Sequence, residues 1–93
     1  MKNAAEERLT VPEHIHHVAD DLKHVVVMNS RNGQIFGLDN SAAVIWNALA
    51  ESGSEVAAVA AVAERYGLDH ERAAADVRGF LADLVDAGLL VRG

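Results

Sequence analysis

A chain of 93 residues makes one domain, with a modest core and little room for a buried active site. It has no cysteine, which excludes disulfides, thiolate metal sites and cysteine nucleophiles. A net charge of −6 repels nucleic acid and suits a neutral or basic partner.

Apolar residues are 51% of the chain, but many are alanine, so Phe36, Trp46, Tyr66 and Phe80 carry a large share of the packing. No apolar run approaches the roughly 20 residues that a membrane span needs. Met1 to Arg8 lacks the apolar core of a secretory signal. The expectation is a cytoplasmic protein with no membrane contact.

Residues 1–8 are polar and charged and read as a flexible N-terminus, leaving 9–93 as the folded domain. Leu9 to Ala19 alternates loosely through Leu9, Val11, Ile15 and Val18, with Pro12 confining it to an edge or an irregular strand. Asp20-Asp21 reads as a turn. Lys23 to Met28 is a second strand and Gln34 to Leu38 a third. Arg31-Asn32-Gly33 between them signals a hairpin, because Asn and Gly tolerate the positive φ of a primed turn. Val25 to Met28 is uniformly apolar, which predicts a strand covered on both faces.

Three helices follow. The first spans about 41–51, with Asn40 or Ser41 as its cap, and ends at Glu51-Ser52-Gly53. Ser54 caps the second, which places Val56, Val59, Val62, Ala63 and Tyr66 at helical spacing and stops at Gly67. Asp69 caps the third, which starts at His70-Glu71-Arg72 and carries Ala73, Val77, Phe80, Leu81 and Leu84. Gly88 stops it, and Leu89-Leu90-Val91 closes the chain as a short apolar tail. This order predicts an α+β winged helix-turn-helix, a three-stranded antiparallel sheet followed by three helices.

Chemistry has few candidates. His14 and His16 share a strand face and His24 approaches from the next strand, a trio of zinc or nickel type. No carboxylate or fourth ligand stands at a diagnostic spacing, so solvent-facing histidines and no bound metal are expected. Ser30, Ser41, Ser52 and Ser54 lie at turns or helix starts, where capping explains them. No Gly-x-Ser-x-Gly elbow surrounds any of them, and Gly33 to Gly37 lacks the Gly-Lys-Ser/Thr of a phosphate loop. Neither catalysis nor a cofactor is expected.

Binding has two candidates. A winged helix suggests DNA, but the third helix sets Arg72 and Arg78 against Glu71, Asp76, Asp83 and Asp86, and the wing offers only Arg31. Peptide capture fits better. In strand order 1-2-3 the segment Gln34, Ile35, Phe36, Gly37 and Leu38 is an edge that offers unpaired N–H and C=O groups to an extended peptide. The third helix beside it makes a groove, with Ala74, Val77, Arg78, Leu81 and Val85 at the peptide and Phe80 and Leu84 in the core.

The run Gly33-Gln-Ile-Phe-Gly-Leu-Asp-Asn-Ser-Ala-Ala-Val-Ile-Trp46 resembles the PqqD-like family, the RiPP recognition elements. Those domains show a Gly-x-x-x-x-Leu-Asn run and then a small-residue helix ending in Ile-Trp or Ile-Leu. Here Leu38-Asp39 replaces Leu-Asn. Tyr66-Gly67, Asp76-Val77, Phe80-Leu81 and Leu84-x-x-x-Gly88-Leu-Leu90 also resemble the family's last two helices, so the likeness covers roughly 9–91.

The resemblance implies a winged helix-turn-helix that binds the leader segment of a ribosomally made precursor peptide, paired as a strand with the third strand and resting against the third helix. The free-standing length and Ile45-Trp46 look most like the recognition proteins of lasso-peptide pathways. It then implies a separate leader peptidase, a transglutaminase-like cysteine protease, and an asparagine-synthetase-like cyclase as partners. Leaders in such pathways offer a Tyr-x-x-Pro-x-Leu segment whose apolar side chains suit the groove. The alternatives are a PqqD role, presenting a precursor to a radical enzyme, and a DNA-binding regulator, which requires a basic face.

Overall fold

The computed structural model describes residues 8–21 and 24–92. Chain order is β1 (Leu9–Thr10), β2 (Ile15–Asp21), β3 (His24–Asn29), β4 (Ile35–Asp39), α1 (Ser41–Ser52), α2 (Glu55–Tyr66), α3 (His70–Asp86) and β5 (Val91–Arg92). Strands β2, β3 and β4 form an antiparallel sheet in that order, and β1 pairs with β5. The α+β winged-helix architecture expected from the sequence is the one found. The expectations for residues 1–7 and for Lys23 lie outside the described residues.

The first expected strand divides at Pro12. The Ile15 N–H donates to the Pro12 carbonyl at 3.0 Å, closing a turn between β1 and β2. Proline has no N–H for a ladder, so the chain breaks pairing there. β1 instead meets the C-terminal end, Leu9 opposite Arg92 and Thr10 opposite Val91. What reads as an apolar tail is therefore part of the fold, with Leu89 and Leu90 buried beneath β5. The expected Asp20-Asp21 turn is corrected as well. Asp21 is the last residue of β2 and pairs with His24 after a register shift.

Strand β3 alternates. Val25, Val27 and Asn29 are buried, while Val26 and Met28 are exposed. The expectation of two covered faces fails because the core lies on one face of the sheet, as antiparallel sheets allow. The hairpin turn differs too. Ser30 to Gly33 form a four-residue loop, in which the Gly33 N–H donates to the Asn29 carbonyl at 2.8 Å. Gly33 alone in that loop has a positive φ, 77°, whereas a primed turn needs one or both of its two central residues there. Side chains finish the loop: Asn29 Oδ1 accepts from the Arg31 N–H and Asn32 Oδ1 from the Gln34 N–H, both at 2.9 Å.

The helix termini follow local rules with one exception. Ser54 Oγ accepts the Ala57 N–H at 3.1 Å and Asp69 Oδ1 the Arg72 N–H at 2.8 Å. At the end of α3, the Gly88 N–H reaches Val85 and the Leu89 N–H reaches Leu84, a Schellman pair that seals Leu89 against the core. Asn40 is the exception. It precedes α1 with φ 56° and makes no side-chain cap bond, so the expected cap there is absent.

Gly53 ends α1 with φ 69° and ties it to β1, since the Leu9 N–H donates to its carbonyl at 2.9 Å. A Cβ on Gly53 would stand 2.9 Å from the Leu9 carbonyl oxygen. Gly53→Ala is therefore expected to destabilise the fold by about 1–3 kcal/mol, read from a urea denaturation midpoint.

Between sheet and helices, Trp46, Leu49, Val62, Val77, Leu81, Leu89 and Leu90 are fully buried together with Val25 and Val27. The His17 ring meets Trp46 edge-on, centroids 5.5 Å apart, at the margin of this core.

Candidate peptide-binding edge and groove

β4 is an outer strand of its sheet, and hydrogen-bond parity decides what it offers. The Asn29 N–H donates to the Gln34 carbonyl at 2.9 Å. Alternate residues of an antiparallel strand bond the same neighbour, so Phe36 and Leu38 also turn their backbone groups to β3. Ile35 and Gly37 turn theirs away, to the outer edge, which pairs with no strand among the described residues. Side chains divide in the same rhythm. Phe36 lies opposite Val27 and Leu38 opposite Val25 on the core side, half-buried and buried respectively. Ile35, opposite Met28, is 67% exposed on the other face. Asp39 Oδ1 and His24 Nε2 stand 3.9 Å apart at the end of that face, an exposed pairing of little energetic weight.

Helix α3 buries Ala73, Val77, Leu81 and Leu84. Successive residues turn by about 100°, so Ala74, Arg78 and Val85 form the flank next to that buried stripe. Ala74 and Val85 are half-buried and pack at the core's rim, and Arg78 is exposed. Two expectations are corrected. Val77 and Leu81 do not turn to a groove: both are 0% exposed. Phe80, expected in the core, is only half-buried at its rim, while Leu84 is buried as expected. Apolar spacing locates a stripe but leaves its centre uncertain by one residue in either direction, and here the centre falls nearer Val77 than Phe80.

The exposed face of α3 carries Arg72 and Arg78 among Glu71, Asp76, Asp83 and Asp86. A phosphate backbone would meet more negative than positive charge. The histidines are dispersed: His16 stands opposite Met28 and His24 opposite Asp39, and His14 precedes β2. Among the described residues, no group of three His, Cys, Asp or Glu side chains converges as a metal site would require. The serines hold local structure, with Ser30 Oγ donating to the His14 carbonyl and Ser52 Oγ to the Ala48 carbonyl.

The model of the family described as coenzyme PQQ synthesis protein D (PqqD) matches residues 24–90. The chain belongs to the PqqD family. The match takes in β3, β4 and all three helices, so the β4 edge and the α3 flank both lie inside the family's shared region. Among solved structures, this PqqD-family protein is similar to one titled "TbiB1 in Complex with the TbiA(beta) Leader Peptide". The two are 29% identical with a TM-score of 0.77, over 87% of this chain and 93% of that one. No curated protein matches the chain. Among the described residues, no helix is long and apolar enough to cross a membrane.

One feature escapes a residue-by-residue reading of the sequence. Val18, Val26, Met28 and Ile35 are all exposed and lie together on the outer face of the sheet. Their period-2 spacing was the available signal, masked in Val25 to Met28 because the intervening residues are apolar too.

Proposed function

We propose that this PqqD-family protein is a non-catalytic adaptor that binds the leader segment of a ribosomally made precursor peptide, of lasso-peptide type. The leader adds as a strand antiparallel to β4, exchanging bonds with the outward N–H and C=O groups of Ile35 and Gly37. Antiparallel pairing places its bonds perpendicular to the strands and is slightly more stable per residue. Leader side chains on the core side rest on Phe36 and on the flank of Ala74, Arg78 and Val85. Each added backbone bond contributes about 1 kcal/mol net, so the apolar contacts supply much of the selectivity.

The observation that carries this reading is the free edge of β4. The likeness to TbiB1, whose structure contains a leader peptide, supports it. The acidic chain suits a neutral or basic peptide and disfavours DNA. Downstream, a separate leader peptidase, a transglutaminase-like cysteine protease, cuts the presented leader, and an asparagine-synthetase-like cyclase takes the remainder. The family's description names coenzyme PQQ synthesis, and with it stands the second reading that the sequence resemblance implies, presentation of a precursor to a radical enzyme. Both readings use the same edge.

The test combines calorimetric titration with mass spectrometry, using the purified chain and a synthetic leader of its precursor. The expected result is saturable one-to-one binding with the peptide intact after prolonged incubation. Cleavage by this chain alone, or no binding, would overturn the adaptor reading.

A further inference from the structure

Gly37 is not explained by the chain's own packing. Its φ is not positive, and among the described residues a Cβ built on it meets no atom within 4 Å beyond its two chain neighbours. The β3–β4 register runs through it without a bulge. Glycine weakens a strand, and its other common use there is to let a ligand come close.

The position is informative. Gly37 lies on the outer face in a row with Val26 and Val18, next to the row of Ile35 and Met28. Those four side chains are apolar and exposed, Val26 at 50% and Ile35 at 67%. The missing side chain leaves a notch between Ile35 and Asp39 along β4, backed by Val26 across the sheet. The same strand position turns its backbone to the free edge. In an antiparallel ladder, a residue directly opposite Gly37 and bonded to it carries its side chain on the same face. Strand addition therefore delivers one peptide side chain above the notch by geometry alone.

We propose that Gly37 is a specificity-determining position, whose notch seats a large apolar side chain of the bound peptide against Val26 and Ile35. This rests on the strand-addition reading and adds that the peptide is read on both faces of the sheet. The occupant is the added strand because the notch is continuous with the edge, and the residue that forms it also pairs the strand. Two residues later in the peptide, the next outer side chain lies opposite Ile35. It meets Ile35 and Met28, where no gap demands size.

The test selects binders from a displayed library of random peptides long enough to span β4. The best binder, and a version with its outer-facing large residue cut to alanine, are titrated by fluorescence anisotropy against wild type and Gly37→Leu. Amide hydrogen exchange at Ile35 and Gly37 reports edge occupancy separately, on wild type. A Cβ at this exposed position meets no neighbour, and leucine favours a strand over glycine, so the variant is expected to fold, as circular dichroism checks. The expected result is protected edge amides, with Gly37→Leu weakening the large-residue peptide by at least about tenfold and sparing the alanine version. Protected amides with unchanged affinity, or equal weakening of both peptides, would overturn the notch while leaving strand addition standing. Unprotected amides in saturated complexes would remove the strand-addition reading and the notch with it.

Discussion

Leu81→Asp is expected to leave the chain largely unfolded at 25 °C. Leu81 is 0% exposed, in the centre of the α3 stripe with Val77 and Leu84. Losing its burial removes roughly 1.5–3 kcal/mol, and a carboxylate without a partner adds a desolvation penalty of several more. A domain of this size has a total stability of about 5–14 kcal/mol, so the sum removes much or all of it. Leu81→Ala, which leaves only a cavity, should cost about 2–5 kcal/mol and stay folded in water. Arg78→Ala, on the exposed flank three residues earlier, should shift the urea midpoint by no more than about 0.5 kcal/mol. A Leu81→Asp protein with the wild-type midpoint would mean that α3 presents a different face to the core. Leu81 therefore reports on stability, and affinity must be probed on the flank and at the edge.

The division between legible and illegible features follows the range of the interactions. Ser54, Asp69, Gly67 and Gly88 mark helix ends because a cap involves residues only three to five apart, and each acts where its spacing predicts. Asn40 shows the limit of that rule: its type suits a cap, but its φ of 56° makes no side-chain cap bond. The β1–β5 pair joins residues 9–10 to 91–92, and nothing in either two-residue segment signals the other. The azimuth of α3 was equally hidden. Ala73, Val77, Phe80, Leu81 and Leu84 make one apolar arc, and which end points outward depends on α1 and α2, not on α3. The edge status of β4 was legible because two hairpin-linked strands leave the third at the margin. The outer apolar face was not, because a run such as Val25 to Met28 reads the same with one face wet or none.

Ile35→Pro is the sharper test of the edge. Parity from the Asn29–Gln34 bond turns the Ile35 N–H to the free side of β4, so proline there removes no bond to β3. Proline is tolerated in edge strands at such positions, and Ile35 is 67% exposed, so the core keeps its packing. A bound strand loses one donor and meets the pyrrolidine ring where it needs to approach. The expected result is a native circular dichroism spectrum with leader affinity lowered by about tenfold or more, equivalent to about 1.4 kcal/mol. Charge reversal at Glu64 or Arg65, exposed on α2, is the control and should leave affinity within about twofold, since such rim charges are worth little. If folded Ile35→Pro bound the leader like wild type while an α2 reversal abolished binding, the peptide would lie across α2 and the edge of β4 would serve some other contact.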